Sequence, residues 1–482
     1  MQTIFAQSVP GRLGVVPKET EKKAGDMLPA GLLRSAAPAL PELSELDVVR
    51  HYSRLSRLNY GVDSNFYPLG SCTMKYNPKF TESAAALREF AGSHPLLPQL
   101  EGGEAHSAGN LEALWLTENL LAEITGMKAF TLQPMAGAQG ELTGILLIAA
   151  YHRARGNKKS RIICPDSAHG TNPASAALAG YEVVNIESKD GLIDPAALAE
   201  VLDDSVAGLM MTCPNTLGLF EKNLPEIVRL LRRVDALLYY DGANFNACMG
   251  RLRVGDVGFD VVHVNLHKTM ATPHGGGGPG AGPVGVSERL LPFLPGPRVV
   301  RGQDGAFSLD YNLPQSIGRV APFYGNFAVC LRALAYILRC GGEGLSRASD
   351  YAVLNANYIR ARLHGQLEIP YDRLCMHEFV CSASPLGEWG VHALDIAKAL
   401  LDKGFHAPTI YFPLIVKECL MIEPTETESK ETLDAFCDAL LLIIEKARKD
   451  PQSLRDAPLT LPVRRLDETR AARSMVLTED LG

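Results

Sequence analysis

Between about residue 110 and residue 290 the chain alternates two hydrophobic periods, and that alternation limits its possible folds more than any other feature. Apolar, β-branched runs at Arg161–Cys164, Glu182–Ile186, Val206–Thr212, Ala236–Tyr240 and Val261–Val264 have the length and content of buried strands. Helical patterns lie around and between them, at Leu111–Ile124, Glu141–Arg155, Pro195–Leu202 and Leu224–Val234. Strands that alternate with helices pair in parallel, because each crossover helix carries the chain back to the end of the sheet where it started. The expectation is an α/β fold with a mostly parallel sheet.

The flanking segments read differently. After Pro322 a helical pattern runs to Arg339, breaks at Gly341 and Gly342, and resumes from Arg347 to about Leu363. Strand-like Glu378–Cys381 and Leu414–Val416, with helices at His392–Leu401 and Glu431–Ala447, predict a smaller α+β domain. Residues 1–80 are rich in Pro, Gly and turn formers, with only short helical stretches such as Glu42–Leu58. Within them Asn59–Lys75 is too broken for a core element and too rich in Tyr, Phe and Met for a linker, so it reads as an ordered arm. The expected organisation is an N-terminal arm (1–80), a large domain (81–325), a small C-terminal domain (326–450) and a charged tail (451–482).

Composition removes several function classes. With 482 residues, 46% of them hydrophobic and 21% charged, the chain can bury a large core. Its 47 Lys and Arg against 54 Asp and Glu give a net charge of −7, which argues against a general nucleic-acid binder. No apolar run reaches the ~18 residues of a membrane span. The ten cysteines occur without a Cys-x-x-Cys pair, so neither a zinc ribbon nor a disulfide framework is expected, and no metal site is read. The first residues resemble neither a secretory signal nor a transit peptide, and a cytoplasmic protein is the expectation.

The sharpest chemical feature is Asn265–Gly280, which follows an apolar strand and places Lys268 just ahead of a run of glycines. The order excludes a P-loop, whose lysine comes after its glycines. One βα unit earlier, Asp241 ends another apolar strand, with Asn244 close behind. A carboxylate at one strand end and a lysine after the next is the pairing that pyridoxal phosphate requires, the amine forming a Schiff base and the acid keeping the pyridine nitrogen protonated. The loop Pro134–Gly140 leads into a helix, so the amides of Gly137, Ala138 and Gln139 can cradle a phosphate. His169 lies after the strand at Arg161, where an imidazole can stack on a ring or cap a turn. Thr212 and Asn215 lie at a further strand end, and His267 is either a packing neighbour of Lys268 or an acid–base group.

This order of phosphate loop, stacker, acid and lysine resembles the aspartate-aminotransferase-like, fold type I pyridoxal enzymes. The segments Tyr67–Pro78, Ala168–Ser175, Asn265–Thr269, Phe323–Asn326, Met376–Val380, Tyr411–Val416 and Ile422–Glu428 resemble more closely glycine dehydrogenase (decarboxylating), the P-protein family of the glycine cleavage system. They are most similar to the cofactor-bearing second subunit of its two-subunit bacterial form, and the likeness runs from Val9 to about Phe436. The resemblance implies a pyridoxal 5'-phosphate enzyme that decarboxylates glycine and passes its aminomethyl group to the lipoyl arm of an H-protein. It implies Lys268 as the Schiff-base lysine, Asp241 as the pyridinium partner and His169 as the ring stacker. It also implies assembly with a subunit 1, two of each chain. The alternatives are a non-catalytic subunit of the same fold and another fold type I pyridoxal enzyme acting on a small amino acid, by desulfuration or aldol cleavage for example. The presence of both Lys268 and Asp241 speaks against the first, and the segment 67–78 counts against the second. Arg298, Arg301 and Arg319 are candidates for the partner of the glycine carboxylate.

Overall fold

In the computed structural model, which describes residues 2–16, 24–36, 38–168, 170–276 and 278–476, the apolar runs pair into one seven-stranded sheet. Its strands are β1 (Ala129–Thr131), β2 (Arg161–Pro165), β3 (Glu182–Ile186), β4 (Val206–Thr212), β5 (Leu237–Gly242), β6 (Val261–Val264) and β7 (Val284–Val286). They lie in the order β1-β7-β6-β5-β4-β2-β3. From β6 to β3 every pairing is parallel, and only β7 runs against its neighbours. The helices are α1 (Ala108–Thr125), α2 (Gly137–Ala154), α3 (Thr171–Leu178), α4 (Pro195–Val201) and α5 (Leu224–Arg233).

Period-two alternation divides the sheet's side chains between two cores. Leu238 and Tyr240 of β5 join one hydrophobic cluster, and Leu237 and Tyr239 join the other. All residues of β4, β5 and β6 are buried, as expected of central strands covered on both faces. On the Tyr239 face α2 comes so close that a Cβ on Gly144 would collide with the Tyr239 ring, so the glycine sets the helix-to-sheet distance.

A long helix, α6 (Phe327–Leu363), follows, and its single non-helical residue is Gly341, at φ 62°. The expected break is therefore present, but the helix resumes at once rather than at Arg347. A second sheet has the order β8 (Phe379–Ser382), β10 (Cys419–Ile422), β9 (Thr409–Ile410), all antiparallel, packed with α7 (Ala393–Leu401) and α8 (Lys430–Lys449). The strand expected at Leu414–Val416 is not one. Those residues form a turn in which Leu414 is 88% exposed, and the buried strand begins at Cys419. An apolar triplet after a proline carried the pattern of a strand, but it is not hydrogen-bonded into a sheet, and of its three residues Val416 alone is buried. By compactness the described residues within 62–457 form one unit and those within 1–61 and 458–482 a second. The second unit contains a helix, Glu45–Ser56, whose start is fixed by a reciprocal capping box between Ser44 and Asp47. Among the described residues no helix is long and apolar enough to cross a membrane.

Candidate active site

Parallel pairing lines up the polar residues at the strand ends. Thr212 lies opposite Asp241, and Asp241 opposite His263. One helical turn beyond β6, Leu266–Thr269, carries His267 and Lys268, and Leu266 N–H donates to the Ala281 carbonyl across the glycine-rich loop. The start of α2 approaches from the side. No side chain caps it, and its first internal bond is from Gly140 to the Ala136 carbonyl, so the amides of residues 137–139 point onward without a helical partner. A Cβ at Gly137 would lie 2.5 Å from Asn265 Oδ1, so only glycine keeps this approach open. Gly137, Ala138, Thr212, Asp241, Asn244, His267 and Lys268 all line one cavity of about 250 Å³.

Asp241 is 2% exposed, yet its carboxyl lies below the ordinary carboxylate range. Burial pushes it up, but His263, the Ala243 amide and the Lys268 charge together outweigh burial. Thr212 Oγ1 donates to Oδ2 at 3.2 Å, the Ala243 amide donates to Oδ1 at 3.0 Å, and His263 Nε2 lies 3.4 Å from Oδ1. The Tyr239 hydroxyl, 2.6 Å from His263 Nδ1, holds that ring from behind. His263 was not singled out in the sequence, although a lone histidine in the apolar run Val261–Val264 was a visible signal.

Other titratable groups around Lys268 are pushed toward their neutral forms. Burial and the negative charge of Asp241 raise Glu141 to about 8, and its Oε1 accepts from Thr171 Oγ1 at 2.8 Å. Burial, then His274 and Lys268, lower His267 to about 3, and its Nδ1 has no hydrogen-bond partner. His377, Glu378 and Glu423 are all fully buried. Burial and Lys268 lower His377 to about 3, burial and Glu423 push Glu378 up, and burial raises Glu423 to about 7. Lys268 Nζ itself donates to the Ser71 carbonyl at 2.7 Å. Ser71 and Thr73 have φ of 58° and 49°. Such left-handed backbone costs a residue with a side chain on the order of 1 kcal/mol or more.

Some expected residues serve differently. The Gln139 side chain accepts from the Met135 amide and donates to the Val320 carbonyl, so it braces the loop and only its backbone amide is left for a ligand. Asn215 folds onto Gly191, Leu217 and Leu219 and is a turn residue. Asn244 lines the cavity, with its amide nitrogen 3.3 Å from Glu378 Oε1. His169 lies outside the described residues. None of Arg298, Arg301 and Arg319 lines the cavity, and Arg301 stands over the rings of Trp115 and Phe307 instead.

Fold and site together define the fold type I, aspartate-aminotransferase-like class of pyridoxal-phosphate-dependent transferases. Residues 140–291 match the family model of class-V aminotransferases, and residues 348–459 match that of the glycine dehydrogenase C-terminal domain. A probable glycine dehydrogenase (decarboxylating) subunit 2 of Caldanaerobacter subterraneus subsp. tengcongensis is 58% identical over 95% of this chain and 93% of its own length. The protein so described in Listeria innocua is 53% identical over 99% of this chain and 98% of its own. The chain therefore belongs to the glycine dehydrogenase (decarboxylating) subunit 2 family. Among solved structures, an inhibitor-bound glycine decarboxylase (P-protein) of the glycine cleavage system shares the fold, with a TM-score of 0.72 at 21% identity over 87% of this chain and 95% of its own. A Thermus thermophilus aspartate aminotransferase does so with 0.56 at 14% identity, over 80% of this chain and all of its own.

The Glu423 carboxyl holds its proton more firmly in the fold than in the open chain. The stability it contributes is complete below its open-chain value of 4.5 and is lost as the pH rises through about 7. Glu423→Gln, which stays neutral, should gain thermal stability relative to the wild type as the pH goes from about 5 to about 8. Melting curves of both proteins across that range check this, and a constant difference between them would place the proton elsewhere.

Proposed function

We propose that this chain carries pyridoxal 5'-phosphate on Lys268 and uses it to decarboxylate glycine, releasing CO2 and passing the aminomethyl group to the lipoyl arm of an H-protein. The observation that carries the reading is the pairing, in one cavity, of Lys268 with an aspartate kept ionised against burial. Family membership supports the substrate and the reaction. The residues present fit the cofactor: a buried anion for the ring nitrogen, an uncapped helix start for the phosphate, and a glycine at 137 where a Cβ would close the approach.

Bound there, the cofactor supplies the electron sink needed by the charge left on the glycine α-carbon when CO2 departs. The chain's own residues do the rest. Lys268 holds the group through its amine. Asp241 keeps a proton at the ring nitrogen, and Thr212 and the Ala243 amide fix the orientation of its two oxygens. The amides of Gly137, Ala138 and Gln139 receive the phosphate. We assign ring stacking to His169. A place beside the reacting atoms goes to neutral His267, whose unpartnered Nδ1 can hold or accept a proton. Residues 81–325 are assigned to cofactor binding and 326–450 to the smaller domain. The chain is assigned to the cytoplasm, in keeping with cysteines that are all free among the described residues. Its assembly is assigned as two copies with two of a subunit 1, served by a lipoylated H-protein.

Lys268→Ala should lose both the visible absorbance of lysine-bound cofactor and the borohydride-fixed label. A labelled peptide mapping to another lysine would overturn the assignment. Asp241→Asn should keep the cofactor but lose about 10²-fold or more in decarboxylation rate, because a neutral partner lets the ring nitrogen lose its proton. Decarboxylation at the wild-type rate in that variant would refute the role. The isolated chain should be nearly inactive in exchanging labelled bicarbonate into glycine until subunit 1 is added. Full exchange by a homodimer, unchanged on that addition, would sink the two-subunit reading.

A further inference from the structure

The segment Ser71–Lys75 passes beside Lys268, and every second residue of it is latched to a glutamate from far along the chain. The Ser71 amide donates to Glu378 Oε2 at 2.6 Å and its hydroxyl to Oε1 at 2.9 Å. The Thr73 amide donates to Glu423 Oε2 at 3.0 Å and its hydroxyl to Oε1 at 2.5 Å. Lys75, 2% exposed, donates from Nζ to Glu426 Oε1 at 2.8 Å, to Asn246 Oδ1 at 2.8 Å and to the Thr269 carbonyl at 2.7 Å. The approach to this strap is fixed as well. Leu69 bridges to Ile422 of β10, Thr409 Oγ1 donates to the Gly70 carbonyl at 2.9 Å, and a Cβ on Gly70 would collide with Met421.

The strap's backbone is unfavourable by itself, with left-handed φ at two residues that bear side chains. It holds its shape because buried carboxyls accept both the amide and the hydroxyl of each of those residues. His377, Glu378 and Glu423 have ligand atoms within 4.8 Å of one another, a composition that would also suit a metal ion. Here both oxygens of each carboxyl are already committed to Ser71 or Thr73, which makes them latches.

The strap's position gives the latches a purpose. The Ser71 carbonyl stands 2.7 Å from Lys268 Nζ and Ser71 lines the cavity. An amino acid that brings its amine to the place of the lysine amine has its α-carbon one bond away, beside that carbonyl. Glycine offers only hydrogens there. We propose that the Ser71–Lys75 strap, latched by Glu378, Glu423 and Glu426, is the wall that restricts this site to an amino acid without a Cβ. Glu378, Glu423 and Glu426 act through the strap and are positioning residues. The inference rests on Lys268 being the cofactor-bearing amine.

The test uses the full chain co-purified with subunit 1 and loaded with pyridoxal phosphate. Visible absorbance is titrated with glycine, L-alanine and D-alanine, and deuterium exchange is followed at the strap amides. In the wild type glycine should shift the band and neither alanine should do so at the same concentration. In Thr73→Ala and Glu423→Ala the strap amides should exchange faster, and the alanine-to-glycine binding ratio should rise about 10-fold or more. Glu423→Gln, which keeps an acceptor for Thr73, should restore most of the discrimination. Should Glu423→Ala fail to fold, Thr73→Ala, which removes only a hydroxyl and a methyl, decides the matter. Faster strap exchange with unchanged discrimination overturns the wall, as does a wild type that binds alanine as well as glycine. A wild type that shows no visible band on loading overturns the Lys268 reading, and this inference falls with it.

Discussion

A carboxylate kept ionised inside a protein is costly unless charges and hydrogen bonds surround it. Asp241 sits at the end of a fully buried central strand, with Thr212, the Ala243 amide and His263 around it and the Lys268 charge nearby. That arrangement depends on the parallel register of β4, β5 and β6, since a slip of one residue in any of them would turn the needed side chain to the other face. The sheet and the site are therefore one construction. The apolar residues that bury β5 also create the low-polarity setting in which an ionised aspartate acts strongly on its neighbours.

Much of this was legible locally. The five long strands and the helices between them rest on periodicity within each segment. Asp241 stands out because it directly follows an apolar run, and Lys268 because it lies between a strand and a run of glycines. The two short strands, Ala129–Thr131 and Val284–Val286, were not found, because three residues are too few to display a period. The turn at Leu414–Val416 was mistaken for a strand because pattern reports apolar content and not whether the backbone finds a strand to pair with. The use of the Gln139 side chain depends on Val320, which no local rule connects to it.

The least legible part was the set of latches on the strap. Ser71 and Glu378 are 307 residues apart, and Thr73 and Glu423 are 350 apart. Nothing in either segment reveals the other. Taken singly, Glu423 reads as a surface acid and Thr73 as a turn residue. The segments Tyr67–Pro78, Met376–Val380 and Ile422–Glu428 could be quoted only as fragments of a resemblance, and in the fold they form a single contact around Lys268.

That contact also explains the charge pattern of the cavity. Lys268 raises the energy of any cation near it, and burial disfavours every charge. His267, His274 and His377 are accordingly driven neutral, and Glu141, Glu378 and Glu423 are pushed toward their acid forms. Of the two carboxyls on the cavity wall, Asp241 is the one assisted enough to remain charged. Two carboxyls on one wall, Glu141 and Asp241, are thus driven in opposite directions, the arrangement by which a site gives two like groups different duties. The phosphate of the proposed cofactor would meet the start of α2, where uncapped amides favour an anion. The protonated ring nitrogen of the proposed cofactor would have its counterion in Asp241, at the end of β5. On the proposed function, the charges fixed at the start of α2 and the end of β5 are what would set which way round such a ligand lies.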